Sequence, residues 1–276
     1  MSRPGPILVA DRFPKLRLLL IEILSSLSSD EWASGTVAKH WSIKDIALHL
    51  LGGDLGILSR QRDRFNASDQ PVRHHGDLIA LVNRLNDEWV IAARRLSPRV
   101  LCELLSFTGP LVEAYFTSLD PFTIGQPVTW AGPDPAPVWF DIAREFTERW
   151  HHQQQIRDAA GRPPLYEPYF LAPVLDTFMR ALPFSFRDTT TADHTVIKIQ
   201  ISGEAGGSWF LHRQNLGWEL VMETDILPAT TIVISQDSAW RVFTKGIDSE
   251  HARLEAVITG DSSLASPLFT TVSVIA

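Results

Sequence analysis

Apolar residues in the first two thirds of the chain recur at intervals of three and four, the spacing that lines one face of a helix. Leu16, Leu19, Leu20, Ile23, Leu24 and Leu27 make the first stripe, with Asp11 placed to cap it. Ser28, Ser29 and Asp30 end that run and can cap a short turn around Glu31 and Trp32. Ser42 before Asp45 is an N-cap with an acid in the first turn, and Ile43, Ile46, Ala47, Leu50 and Leu51 carry a helix predicted to reach about Phe65. The polar stretch 66–76 predicts a loop. Leu78, Leu81, Val82, Leu85, Trp89 and Ala92 restore the helical period up to Leu96. Ser97 and Pro98 open a further helix to about Ser118, which Gly109-Pro110 should kink or divide. Prolines at 121, 127, 133, 135 and 137 then leave room only for short extended pieces. Val138 starts a long helix closed by Gly161, and one more helix is expected up to Leu182 with Pro173 near its start.

Beyond Pro183 the period shortens to two. Residues 195–202 alternate as a strand, Gly203 to Gly207 is a turn, and 208–213, 218–222 and 229–234 are three more extended runs. Ser238 is expected to cap a helix to about Lys245, Leu254 to Thr259 to form a strand, and Ser262 to Ser273 to close the chain as a helix. The expected fold class is α plus α+β. An all-helical domain over residues 1–185 precedes a smaller α+β domain with a mainly antiparallel sheet over residues 186–276.

Composition narrows the partners. The 276 residues are enough for a sizeable core, and a net charge of −7 speaks against nucleic acid or anionic lipid, which call for clustered Lys and Arg. No apolar run approaches the ~20 residues that span a bilayer. The N-terminal Met-Ser-Arg-Pro-Gly-Pro lacks the apolar core of a signal peptide, so a cytoplasmic protein is expected, monomer or homodimer, with small-molecule partners. Cys102 is the one cysteine, which excludes an intrachain disulfide and a Cys-rich zinc site. Set in an apolar helical run with no Lys or His beside it, it reads as a small buried hydrophobe rather than a nucleophile.

Any metal must therefore use His and carboxylate. In the helix after Val138, Glu148 and His152 lie four residues apart and share one face. The spacing alone fits a solvated face better, with Glu145 pairing Arg149 and Glu148 pairing His152, each pair worth ~0.3 kcal/mol. His49, an imidazole among apolar residues of an earlier helix, could likewise be a hydrogen-bonded core histidine. Taken together the three make the kind of donor set that bundles assemble from facing helices. His151 points about 100° away from His152 and is expected behind the site or at the surface. His74 and His75 fall in the polar loop and read as surface residues, and His40, just before Trp41, could touch the site mouth, though nothing in the sequence demands it. Asn83, Arg84 and Asn86 interrupt an apolar stretch and either line the cavity or form a solvent-facing stripe. Arg149 and Arg157 could hold a carboxylated substrate or pair with nearby acids. Arg213, ending a strand among Trp209, Phe210 and His212, is a candidate anion contact.

Two segments carry a resemblance. Trp41-Ser-Ile-Lys-Asp-Ile-Ala-Leu-His49 resembles the Trp, Asp, His helix signature of the mycothiol-dependent maleylpyruvate isomerase family, in the DinB-like superfamily of metal-binding four-helix bundles. Glu148-Arg-Trp-His-His152, followed by Gln155-Ile-Arg-Asp-Ala159 and Gly161-Arg-Pro163, resembles its Glu-x-x-x-His motif. Gly207-Ser-Trp209, Gly260-Asp261 and the helix after them resemble the sterol carrier protein type 2-like domain often appended to this bundle. The resemblance implies a divalent metal, zinc first and nickel second, on His49, Glu148 and His152, with a low-molecular-weight thiol as cosubstrate. Three protein ligands leave a position for that thiol, which binds as thiolate. The family reaction adds the thiolate to the conjugated double bond of a small electrophile such as maleylpyruvate; rotation and elimination follow, or the adduct is released as in a transferase. The competing expectation is a non-catalytic module binding metal or an apolar ligand, with Trp89, Trp130, Trp139 and Trp150 lining a pocket.

Overall fold

The computed structural model describes residues 2–65, 75–214 and 217–273. Their contacts gather them into two compact units, one holding residues 9–120 and 148–164, the other the residues up to 8, 121–147 and those from 165 onwards. The second unit thus takes in residues 165–185, which the sequence grouped with the helices.

The first unit is helical. It holds α1 (Phe13–Ser26), α2 (Ser29–Ala33), α3 (Ile43–Gly56) with a π-helical extension (Ile57–Arg62), α4 (His75–Ala93), α5 (Pro98–Ser118) and the second half of α6 (Val138–Ala159). Helix α1 begins at Phe13, after a 3-10 turn that contains Asp11, so Asp11 is not its cap. The stripes meet as expected: Leu20, Ile23 and Leu24 of α1, Ile43, Ile46, Ala47, Leu50 and Leu51 of α3, Leu101 and Leu105 of α5, and Ile156 of α6 form one core. At roughly 1.5–3 kcal/mol for each large side chain fully buried, that core dominates the stability of the unit.

Helix α5 is not divided at Gly109-Pro110; it is one helix with Pro110 inside. Its buried Leu101, Leu105, Val112 and Phe116 lie before and after the proline, and docking of both halves outweighs the ~3 kcal/mol that an interior proline costs. Gly109 serves a different purpose, because a Cβ there would come within 2.1 Å of Arg17 Cδ, and Arg17 passes over it to reach Glu113 at 2.6 Å. Helix α4 starts at His75, two residues before the expected helix start at Asp77.

The second unit holds a two-stranded antiparallel pair, β1 (Ile124–Pro127) and β2 (Pro135–Pro137), the short extended pieces expected of the proline-rich segment. Its main sheet contains β3 (Val196–Ser202), β4 (Gly207–Gln214), β5 (Gly217–Val221), β6 (Thr230–Ser235) and β7 (Val257–Gly260) in the order β5-β4-β3-β6-β7. All neighbours are antiparallel except β3 and β6, so the sheet is mixed though mainly antiparallel. The parallel pair is made possible by the long connection through β4 and β5. Helices α7 (Pro168–Met179), α8 (Leu182–Ser185), α9 (Gln236–Phe243), α10 (Ser249–Glu255) and α11 (Ser266–Thr270) accompany it.

Several boundaries move. Pro173 lies inside α7, and Ser235 rather than Ser238 caps α9, its hydroxyl accepting from the Ser238 N–H at 3.0 Å. Leu254 belongs to α10, whose one buried residue is Ala252; so little apolar periodicity is why the pattern misses it. The closing helix is a 3-10 turn (Ser262–Ala265) followed by α11. Phe178 of α7 stacks on Phe243 of α9 at 5.1 Å, and Trp209 Nε1 of β4 donates to Asp176 of α7 at 2.9 Å, which is how residues 165–185 come to belong with the sheet. Among the described residues no helix is long and apolar enough to cross a membrane.

Candidate metal centre

Helix α3 is fixed at its start by a capping box: the Ser42 hydroxyl accepts from the Asp45 N–H at 3.3 Å and the Asp45 carboxylate from the Ser42 N–H at 3.0 Å. Arg94 then grips the same carboxylate with two bonds of 2.8 and 3.1 Å. Burial alone would raise the Asp45 carboxyl, but the hydrogen bonds from Arg94 and Ser42 prevail and hold it below its usual value. One turn on, Trp89 Nε1 donates to the Leu48 carbonyl at 2.7 Å while its ring lies over Gly52, where a Cβ would come within 2.6 Å. These contacts set the rotation of α3 and hence the direction of His49.

On α6, Glu148 and His152 face His49. Glu148 Oε1 lies 3.2 Å from His49 Nε2 and 3.0 Å from His152 Nε2, and one atom from each side chain falls within 4.8 Å of the others. Side-chain exposures are 13, 27 and 8 % for His49, Glu148 and His152, so the cluster is largely enclosed. The Trp41 ring packs 4.9 Å from that of His49 and walls one side. Burial pushes the Glu148 carboxyl up, but the imidazoles around it, His152 first, then His49 and His151, outweigh burial and hold the group well below its usual value.

The donor set fits a divalent cation. Two donors each ~2.0–2.1 Å from one ion at the tetrahedral angle sit about 3.3 Å apart, close to the 3.0 and 3.2 Å between Glu148 Oε1 and the two imidazole nitrogens. His152 Nδ1 meets Gln155 Oε1 at 2.8 Å. His151, expected behind the site or at the surface, is buried; its ring stacks 4.0 Å from that of His152 and its Nδ1 is 3.7 Å from Glu148 Oε2.

The remaining sequence candidates do not join this cluster. Asn83 is exposed and Asn86 half-buried on α4, and Arg84 is exposed, 3.8 Å from Glu88. Arg213 lies in the other unit on β4, its guanidinium 6.0 Å from the Trp218 ring. Arg149 donates to Asp54 of α3 at 2.9 Å, and Arg144 pairs with Glu145 at 2.6 Å. Arg157 donates to the Pro163 carbonyl. His40 is exposed, His74 lies outside the described residues, and His75 is the first residue of α4. Cys102 is half-buried against the helical core, and burial pushes its thiol up, so it is no ready nucleophile.

A second polar group in the same unit escaped the sequence. Asp54 accepts from Arg149 and, at 2.8 Å, from the Thr108 hydroxyl. Both charges border a cavity of about 40 Å³ between α1, α3, α5 and α6, together with Arg17, Glu113 and Gln153. Gln153 is fully buried and neither end of its amide has a hydrogen-bond partner. Adjacent helical positions point 100° apart, which is how Arg149 and Gln153 face this cavity while Glu148 and His152 face His49.

A model of the mycothiol maleylpyruvate isomerase N-terminal domain matches residues 17–157. The crystal structure of the mycothiol-dependent maleylpyruvate isomerase superposes with a TM-score of 0.51 at 10 % identity, covering 87 % of this chain and 91 % of that one. A histidine-to-alanine variant of it gives 0.52 at 9 % identity over the same shares. At such identities the likeness is one of fold. Sterol Carrier Protein 2 from Yarrowia lipolytica, in its apo form, matches 56 % of this chain and 95 % of that one at 12 % identity, with a TM-score of only 0.24. Comparison with curated proteins finds no match. The matched span of residues 17–157 is about half of the chain and contains all three donors, and the chain belongs to the mycothiol maleylpyruvate isomerase N-terminal domain family.

Proposed function

We propose that this protein is a divalent-metal-dependent enzyme that activates a low-molecular-weight thiol, mycothiol or a relative, toward a small electrophile of the maleylpyruvate type, by isomerisation or transfer. The observation that carries the reading is that His49, Glu148 and His152 bring one ligand atom each within 4.8 Å of one another. Family membership and the names of the two similar structures, which pair mycothiol with maleylpyruvate isomerisation, support it.

In this reading a bound divalent cation, zinc or secondarily nickel, supplies the charge that keeps a thiol deprotonated near neutral pH. The protein's part follows from its residues. His49 and His152 offer ring nitrogens and Glu148 a carboxylate oxygen, three donors being the number that leaves a place for an exogenous ligand. Glu148 stays ionised and offsets one of the cation's two charges. Trp41, against His49, presents an apolar wall that keeps water from one side. With Cys102 packed on the core, the nucleophile comes from outside the chain. The sheet-bearing residues beyond 185 are, in the same reading, a sterol carrier protein type 2-like domain, with Arg213 as an anion contact.

Elemental analysis tests the proposal. Protein purified without chelators is expected to carry near-stoichiometric divalent metal, with His49→Ala and His152→Ala losing it, and to act on maleylpyruvate-like electrophiles only when a thiol is added. Wild-type protein free of metal that regains none on dialysis against zinc overturns it. Metal-replete protein inert with every thiol would favour a binding module.

A further inference from the structure

Gln155 follows His152 by three residues on α6, so the two side chains share a face of the helix. Both are buried, and Gln155 Oε1 stands 2.8 Å from His152 Nδ1. We infer that Gln155 is a positioning residue: its carbonyl oxygen holds the His152 ring with the proton on Nδ1 and so turns the Nε2 lone pair toward Glu148 and His49. The inference rests on the metal-site reading above and assigns a role to a residue outside the donor set.

A carbonyl oxygen only accepts, so the bond requires a proton on Nδ1. A neutral imidazole carries one N–H, which leaves Nε2 as an acceptor. That atom lies 3.0 Å from Glu148 Oε1, an acceptor as well. Two acceptors at that separation repel unless positive charge lies between them, and a cation accepting both lone pairs removes the conflict. Without Gln155 the ring can take the other tautomer, donate Nε2–H to Glu148 and close the cluster on itself. Gln155 therefore costs the metal-free cluster an internal hydrogen bond and keeps a lone pair available for ligation. The neighbouring amide cannot replace it, because Gln153 faces the cavity lined by Phe13, Leu50 and Val112.

The test compares wild-type protein with Gln155→Leu and Gln155→Glu. Zinc affinity is measured by competition with a chromophoric chelator, and the His152 tautomer in metal-free, nitrogen-15-labelled protein is read from the couplings of its ring nitrogens. Gln155→Leu is expected to weaken zinc binding by about 10–100-fold and to shift the neutral ring toward Nε2–H. Gln155→Glu, which keeps an oxygen acceptor for Nδ1–H, is expected to retain wild-type affinity or better. A role in packing alone would make both substitutions lose affinity alike and leave the tautomer unchanged; that result overturns the inference. So does an Nε2–H ring in wild-type protein, or unaltered zinc affinity in both variants. If wild-type protein binds no zinc, the proposed function fails, and the tautomer measurement alone decides the role of Gln155.

Discussion

The ion pair between Asp54 and Arg149 offers the most direct test of how the helical unit holds its shape. Its side chains are 7 and 15 % exposed, and it joins α3 to α6 close to the donors on both. Replacing Asp54 with Ala removes the carboxylate and leaves the guanidinium enclosed. Breaking a buried pair in this way costs about 3–5 kcal/mol, because the remaining charge has lost this partner. Two features argue for the lower end of that range. The Arg149 guanidinium lies 5.6 and 5.9 Å from the Phe13 and Phe116 rings, which retain part of its stabilisation. The Thr108 hydroxyl keeps a second acceptor in the Leu104 carbonyl at 3.1 Å. A loss of about 3 kcal/mol is therefore expected in urea denaturation of metal-free protein, out of a total of ~5–15 kcal/mol for an ordinary domain. Asp54→Leu combined with Arg149→Met removes both charges, and should recover most of the loss. A cost for Asp54→Ala below about 1 kcal/mol, or a double variant no more stable than the single one, would refute the reasoning.

Three further outcomes follow from the same packing. Gln153→Leu should stabilise the protein by about 1–3 kcal/mol, since it deletes a buried amide without partners; a loss, with ordered water seen on the amide in a crystal, would show that the cavity hydrates it. Gly109→Ala gains ~1 kcal/mol of helix propensity but drives a methyl into Arg17 and parts it from Glu113, so calorimetry should show a net loss of about 1–2 kcal/mol, and a raised melting temperature counts against this account. Asp45 has its carboxyl held below the unfolded value, so it adds stability above that unfolded value and loses it as pH falls through the folded one. Asp45→Asn should accordingly be less stable at neutral pH and show a shallower acid limb; an acid limb as steep as that of wild type excludes the role.

The helical stripes and the alternating strands were readable because burial on one face imposes a period on the chain, and the same periodicity paired Glu148 with His152. His49 could be proposed as a donor only by setting two helices side by side. Long-range partners left no such mark. Arg149 stands at i+4 from Glu145, a spacing that suggests a local pair, and nothing in that spacing announces that it also reaches across to Asp54 of another helix. Local rules also allowed a division of α5, which tertiary packing on both sides of Pro110 prevents, and missed α10, which buries too little to show a stripe. Gln155 was visible as part of a motif, but its bond to the far side of the His152 ring depends on side-chain rotamers that spacing does not encode.

The adjacent, oppositely charged Glu148 and Arg149 act together as a clock hand for α6. In the observed setting the carboxylate faces two imidazoles and the guanidinium faces a carboxylate. Turning the helix by one residue, about 100°, moves both side chains in the same sense: one way brings Arg149 to the imidazoles, the other brings Glu148 to Asp54, and either turn breaks both attractions. Hydrophobic contacts alone tolerate such slippage, because a leucine packs nearly as well a little to either side. The charge alternation leaves α6 a single rotational setting, so the arrangement that gathers the donors is enforced by what every other setting would cost.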